Sequence, residues 1–288
     1  MNLQQKKDNS FLATEPLGRL LLKLSLPTVT AQVINMLYNI VDRIYIGHIP
    51  ETGALALTGV GVCMPLIMIV SAFAALVGNG GAPRASIFMG KGDKESAEQT
   101  LGNCFTTQIV VSLLLTLILF TGTKSFLMAF GASENTIPYA VAYMNIYSLG
   151  TIFVQLTLGM NAFITAQGFA KTSMLSVLVG AASNIILDPI FIFALHMGVR
   201  GAALATIVSQ ALSCTWVLHF LMGKKSYLKI HRCNMKLKKD IILPSLALGL
   251  STFIMQSSES IISKPFGRGR TGKCRSHQRI DRILQRYF

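Results

Sequence analysis

Asp188 is a carboxylate placed in the middle of an apolar stretch that runs from about Met174 to Leu195. A stretch of roughly 20 residues crosses a bilayer as a helix, and an acid near its centre costs about 2.5–3.5 kcal/mol on the insertion scale. Asn184 precedes it by one helical turn and so shares its face. Pro189 follows directly; it lacks a backbone donor and frees a carbonyl one turn back. An acid, an amide and a free carbonyl on one face form an oxygen-rich surface suited to a small cation or a proton. An acid held by a neighbouring helix for packing alone is the weaker reading, because ionisable groups inside spans mark functional sites by default.

A second acid, Asp42, lies in the apolar stretch from about Leu20 to Ile46, where Asn35, Tyr38, Asn39 and Asp42 are spaced to share one helix face. Such a polar stripe is expected to face the bundle interior rather than lipid. Asp42 and Asp188, with Asn184 and Thr206 as neutral oxygen ligands, would suit a hard cation such as Na+ better than zinc or copper. Protonation would compete with the cation for the same carboxylates, which is the chemistry of an ion-coupled transporter. Asn35, Tyr38, Asn39, Gln155 and Asn161 are the candidate walls of a substrate cavity. An enzyme reading, two acids acting as an intramembrane protease dyad, has only Gly90-Lys91-Gly92-Asp93 to support it. That acid lies in a charged turn, and a general-acid pair must meet in space. No cofactor or metal beyond Na+ or H+ is expected; the five cysteines have no metal-binding or redox spacing.

The elements that must carry these residues follow from composition. Of 288 residues, 51% are hydrophobic and 13% charged, against about 25% charged in soluble domains. This predicts an all-α membrane protein with spans near 20–46, 55–77 (extending towards 88), 100–121, 138–165, 174–195, 201–222 and 240–262. The net charge of +14 is not a nucleic-acid footprint. It is concentrated in alternate loops and in the tail, where 264–288 carries eight lysines and arginines against one acid. Lys171 and the run Lys224 to Lys239 fall on the same side as Lys6, Lys7, Arg19, Arg84 and Lys91, so the positive-inside rule places the amino terminus in the cytoplasm and the chain in the cell membrane. No cleavable leader is expected. The basic linker reads as a solvated loop beside anionic lipid. An internal repeat is visible: Leu26-Pro27 is followed fifteen residues on by Asp42, and Leu243-Pro244 fifteen residues on by Glu259. Six spans between the copies make them parallel, one of the repeat arrangements used by transporters.

Asn184-x-x-x-Asp188-Pro189, followed by Gly198-Val199-x-Gly201-Ala202-Ala203-x-Ala205-Thr206, resembles the multidrug and toxic compound extrusion (MATE) transporters, most closely their MepA-like branch. Asn39-Ile40-Val41-Asp42-Arg43, Met160-Asn161, Ala166-Gln167-Gly168 and Gln256-Ser257-Ser258-Glu259-Ser260 carry the likeness through the first, fourth and seventh helices, from about Leu17 to Ser263. The resemblance implies two six-helix lobes that export lipophilic, cationic drugs in exchange for Na+ or H+. It implies coupling residues at Asp42, Asn184, Asp188 and Thr206, with Glu259 as an acid of the second lobe. The expected organisation is a cytoplasmic segment 1–16, a six-helix lobe 17–223, a cytoplasmic linker 224–239, a seventh helix 240–263 and a basic, disordered, off-family tail 264–288. The chain is therefore expected to be a truncated, inactive exporter with a poorly inserted seventh helix, lacking a second lobe unless another copy supplies one. A lipid-linked oligosaccharide flippase of the same superfamily is disfavoured because Arg43 is the one arginine well inside a span; a non-transporting fragment is the remaining alternative. The orientation is testable: in a variant lacking the other four cysteines, a membrane-impermeant thiol reagent added to intact cells should leave Cys233 unlabelled. Ready labelling from outside would invert the topology.

Overall fold

The computed structural model describes residues 16–262. The expected N-terminal segment up to residue 15 and the basic tail 264–288 lie outside them. Among the described residues there is no strand. The described residues form eight α-helices in succession: α1 Leu17–Gly47, α2 Gly53–Gly90, α3 Lys94–Ala129, α4 Ile137–Leu149, α5 Thr151–Ala166, α6 Ala170–Pro189, α7 Val199–Met222 and α8 Lys239–Ile262. Helices α2, α3, α7 and α8, and α6 with the π-turn that follows it, are long and apolar enough to cross a membrane, and so is the bent pair α4–α5 when taken together. The protein is thus a multi-pass, all-α membrane protein. Helix α1 is about 46 Å long at 1.5 Å per residue, but its polar stripe makes it less apolar than the others.

The spans differ from expectation where the backbone is interrupted. The single span expected at 138–165 is two helices bent by 58°. Gly150 sits at the break against α7; a Cβ there would come within 2.4 Å of Ile207, so glycine lets the chain turn where the helices meet. Thr116 Oγ1 donates to the Ser148 carbonyl at the same bend (3.0 Å). The span expected at 174–195 is α-helical only to Pro189 and continues as a π-turn, Ile190–Ala194. Pro189 cannot donate to the preceding turn, and π-turns of this kind gather at functional sites. Gly201, in the first turn of α7, allows close contact with that turn, since a Cβ would lie 2.6 Å from the Phe191 backbone. At the start of α3, Asp93 accepts a hydrogen bond from the Ser96 N–H (3.0 Å). Its hydrogen bonds with Ser96 hold the Asp93 carboxyl below the usual carboxylate range.

Helix α1 packs on α6, α6 on α7, α7 on α4 and α5, and α2 lies against α3, α5 and α8. Apolar side chains form two separate cores. One, with Val60, Leu66, Leu127 and Met144, fills the end where α1 finishes. The other, with Leu101, Phe163, Val217 and Leu221, fills the end where α1 starts. Between them lies a polar middle layer that includes buried Gln108, Gln155, Asn184 and Asp188.

Helix α8 runs antiparallel along α2. Gly80 lies against Ser245 and Gly249 against Leu76, each so close that a Cβ would fall 1.9 Å from a backbone oxygen. Phe73 and Phe253 meet edge to face at 4.9 Å, and Ser260 Oγ donates to the Pro65 carbonyl (2.7 Å). The linker that leads to α8, read from sequence as a solvated loop, is docked. Gln167 Oε1 accepts from Ser226 Oγ (3.0 Å), Tyr227 N and Leu228 N (both 2.9 Å). Asn103 accepts from Lys238 N (2.7 Å) and donates to the Asn234 carbonyl (3.2 Å), while Thr106 Oγ1 donates to the Met235 carbonyl (2.9 Å). The α2–α8 crossing is checked with Gly249→Val, which forces α8 away from the Leu76 backbone. Overpacking of this kind should destabilise the chain by about 1–3 kcal/mol or more in detergent-titrated unfolding, and Gly61→Ala, which meets open space, should be near neutral.

Candidate ion-coupling site

The site is built where α1 crosses α6. On α6, the i, i+4 spacing puts the Asn184 amide 3.2 Å from Asp188, Nδ2 donating to Oδ1. On α1, Tyr45 packs edge to face with Phe193 of the π-turn (ring centroids 6.3 Å apart), which sets the end of α1 against the end of α6. Asp42 thereby comes within hydrogen-bonding reach of Asp188, so that either carboxyl, once protonated, can donate to the other. Both acids are removed from the surface: Asp42 is 6% exposed, Asp188 0% and Asn184 2%. Thr206 on α7 donates to the Ala202 carbonyl (3.0 Å) and lies beside Tyr143 of α4, whose hydroxyl is also near Asp42. Tyr143 stacks on Tyr147, with ring centroids 6.2 Å apart.

Three buried oxygens in this cluster have no hydrogen-bond partner: Asp42 Oδ1, Asp188 Oδ2 and Asn184 Oδ1. Buried polar atoms are nearly always satisfied, so an electron-rich cluster with three oxygens left without a donor fits a proton or a hard cation. Carboxylate, amide and hydroxyl oxygens are the donor set for Na+ rather than for a soft metal. Among the described residues, no three His, Cys, Asp or Glu side chains gather to hold a metal ion.

One cavity borders Asp42 and a second borders Asn184. The larger, about 360 Å³, is lined by Asp42, Asn39, Tyr143 and Tyr147 and by Gln256 of α8. The smaller, about 220 Å³, lies between α1, α5, α6 and α7 and is lined by Asn184, Asn161, Ser209 and Ser213. Gln32, Asn35, Tyr38, Leu158, Thr206 and Gln210 face both.

The residue pattern has counterparts in known proteins. The MatE family model matches residues 27–190, more than half of the chain. The chain belongs to the MatE family. It is similar to the multidrug export protein MepA of Staphylococcus haemolyticus, 28% identical over 231 residues covering 80% of the chain and 51% of that protein. Among solved structures, it is similar to a MOP superfamily transporter from Pyrococcus furiosus whose binding pocket has reverse polarity (26% identity, TM-score 0.80, 88% of the chain and 56% of that one). It is also similar to the outward-facing conformation of a multidrug resistance MATE family transporter (27% identity, TM-score 0.78, 84% and 53%). The chain spans about half the length of the curated relatives it matches.

In this MatE lobe the structure brings Asp42, Asn184, Asp188 and Thr206 into one cluster and sets Asn35, Tyr38 and Asn39 around the larger cavity. It separates the other candidates. Gln155 lines neither cavity: it is fully buried, and its Nε2 donates to the Val70 carbonyl of α2 (2.8 Å). Asn161 opens into the smaller cavity alone, with Nδ2 donating to Ser176 Oγ (2.7 Å). Glu259 is exposed; Gln256, one turn earlier on α8, is the residue that reaches the larger cavity. Tyr143, Tyr147 and Gln210 carry no charge and share no polar stripe with an acid on their own helix, so nothing in the sequence singles them out.

Proposed function

We propose that this chain forms the ion-coupling part of a multidrug exporter, in which inward movement of Na+ or H+ drives lipophilic, cationic drugs outward. The observation that carries the reading is the meeting of Asp42 with Asp188 beside three unpartnered oxygens. Two carboxylates in a low-dielectric setting need a proton or a cation between them. The larger cavity, bordered by Asp42, is the proposed drug side; its aromatic and amide walls suit a cation with an apolar body. The relatives named multidrug export proteins support the same class of cargo. A second six-helix lobe is the proposed partner across that cavity, with residues 17–223 as the first lobe and α8 as the start of the second. Basic loops at the end where α1 starts support a cytoplasmic amino terminus in the cell membrane.

Because Na+ and H+ compete for the same acids, Na+ binding to the purified chain should release protons and weaken as pH falls. Asp188→Asn should abolish the proton release. Asn184→Leu, which strips the amide from Asp188, should weaken Na+ binding roughly 10–100-fold, as for groups that orient a ligand. In liposomes carrying an imposed Na+ or proton gradient, any gradient-driven movement of a cationic dye should be lost in Asp188→Asn. Unchanged ion binding and proton release in Asp188→Asn would overturn the reading.

A further inference from the structure

Amide side chains in this lobe do two different things. Gln108 and Gln155 are fully buried and donate to backbone carbonyls of α2 (2.9 and 2.8 Å), so they hold helices together. Gln32, Asn35, Asn79 and Gln256 line the larger cavity instead. The first three are exposed and Gln256 is half-buried. None of the four makes a side-chain hydrogen bond to another described residue. Their donors and acceptors are accessible and are not spent on the fold.

The four come from three helices. On α1, Gln32, Asn35 and Asp42 share a face, and Gln32 lies about 15 Å along the helix from Asp42. Asn79 precedes Gly80, where α2 meets Ser245 of α8, and Gln256 enters from α8 itself. Among the described residues, Asp42 is the one charged side chain in the wall. A bound cation therefore meets one acid, with amides reaching well away from it. Of seventeen lining residues, twelve carry a hydroxyl, amide or carboxyl group; Met64, Ile67 and Leu158 are among the few apolar ones. Drug-sized pockets are usually lined mainly by apolar and aromatic side chains with a few polar groups, and here the proportion is reversed. A ligand without donors or acceptors would strip water from these amides and leave them unpaired, which lowers affinity. A ligand with N–H, O–H or carbonyl groups replaces that water with hydrogen bonds.

We infer that the larger cavity takes organic cations that carry hydrogen-bonding groups of their own, and that Gln32, Asn35, Asn79 and Gln256 select them over equally sized cations that carry none. The charge is drawn to Asp42, the apolar part of the ligand rests on Met64, Ile67 and Leu158, and its polar groups pair with the amides. The inference rests on the multidrug-export reading above and names the ligand class of that same site.

The test is equilibrium binding by fluorescence anisotropy, with the full chain in detergent micelles and the signal of empty micelles subtracted. The cavity, about 360 Å³, is at the small end of the roughly 300–1,000 Å³ range for such sites, so two compact probes are used: 3,6-diamino-10-methylacridinium and 3,6,10-trimethylacridinium. Both are permanent monocations of matching shape, and only the first has amino groups to donate. The diamino probe should bind roughly tenfold or more tightly, since one net hydrogen bond is worth up to roughly tenfold. Asn79→Leu and Gln256→Met should each lower that ratio by roughly threefold or more. A variant that merely disturbs packing weakens both probes alike, so the ratio separates recognition from folding, and two variants on different helices guard against one that fails to fold. Equal affinities, tighter binding of the trimethyl probe, or a ratio that survives in both variants would overturn the inference. In each of those outcomes the chain still binds organic cations, so the exporter reading stands without amide selection. A chain that binds neither probe overturns the inference and the drug-side assignment together.

Discussion

Two carboxylates held side by side and away from water are the constraint around which the lobe is arranged. Asp42 and Asp188 cannot both be charged, dry and unaccompanied, because desolvation and mutual repulsion act in the same direction. A structure that keeps them together must keep a proton or a cation within reach, and must fix the two helices firmly enough that the acids do not move apart. Asn184 supplies the first turn of support along α6. The π-turn after Pro189 supplies the second, by giving Tyr45 of α1 an aromatic surface to pack on. Thr206 and Tyr143 join α7 and α4 to the same cluster.

The layering of the bundle follows from that need. Apolar cores close both ends of the lobe, and polar side chains occupy the middle. Two glutamines make this layer rigid against α2: Gln108 donates to the Ala74 carbonyl (2.9 Å) and Gln155 to the Val70 carbonyl (2.8 Å). Gly159 leaves space for the Gln108 side chain, which a Cβ would strike at 2.0 Å. Hydrogen bonds to backbone carbonyls inside an apolar protein hold helix rotation in place, since leaving such groups unpaired is costly. The polar stripe of α1 is free to line cavities because other residues carry the packing.

Helix α8 adds a second constraint. It lies so close along α2 that only glycine fits at Gly80 and Gly249, and its linker is hydrogen-bonded to α3 and to the turn between α5 and α6. Close approach through small residues gives van der Waals contact and short backbone separations, which is how helices associate where lipid offers no hydrophobic drive. Helix α8 is thus fastened to α2 and α3, and through Gln256 it contributes directly to the larger cavity.

The amino-acid sequence by itself determined the class, the helical content and the local half of the site. A stretch of apolar residues must be a helix in a bilayer because every backbone group has to be satisfied internally. Once it is a helix, the one-turn spacing of Asn184 and Asp188 and the shared face of Asn35, Tyr38, Asn39 and Asp42 follow from periodicity alone. The order of motifs also placed the chain in its family. Only the tertiary structure decided which faces meet. That Asp42 reaches Asp188, that Gln155 turns to α2 instead of a cavity, that Gln256 and not Glu259 enters the larger cavity, and that Asn161 faces a separate space all depend on how each helix is rotated about its axis. Rotation is set by contacts between residues far apart in the chain, such as Gly150 with Ile207 and Gly80 with Ser245. No periodicity within one helix records those contacts, so the bend at Gly150, the docking of the linker and the division into two cavities were invisible until the helices were packed.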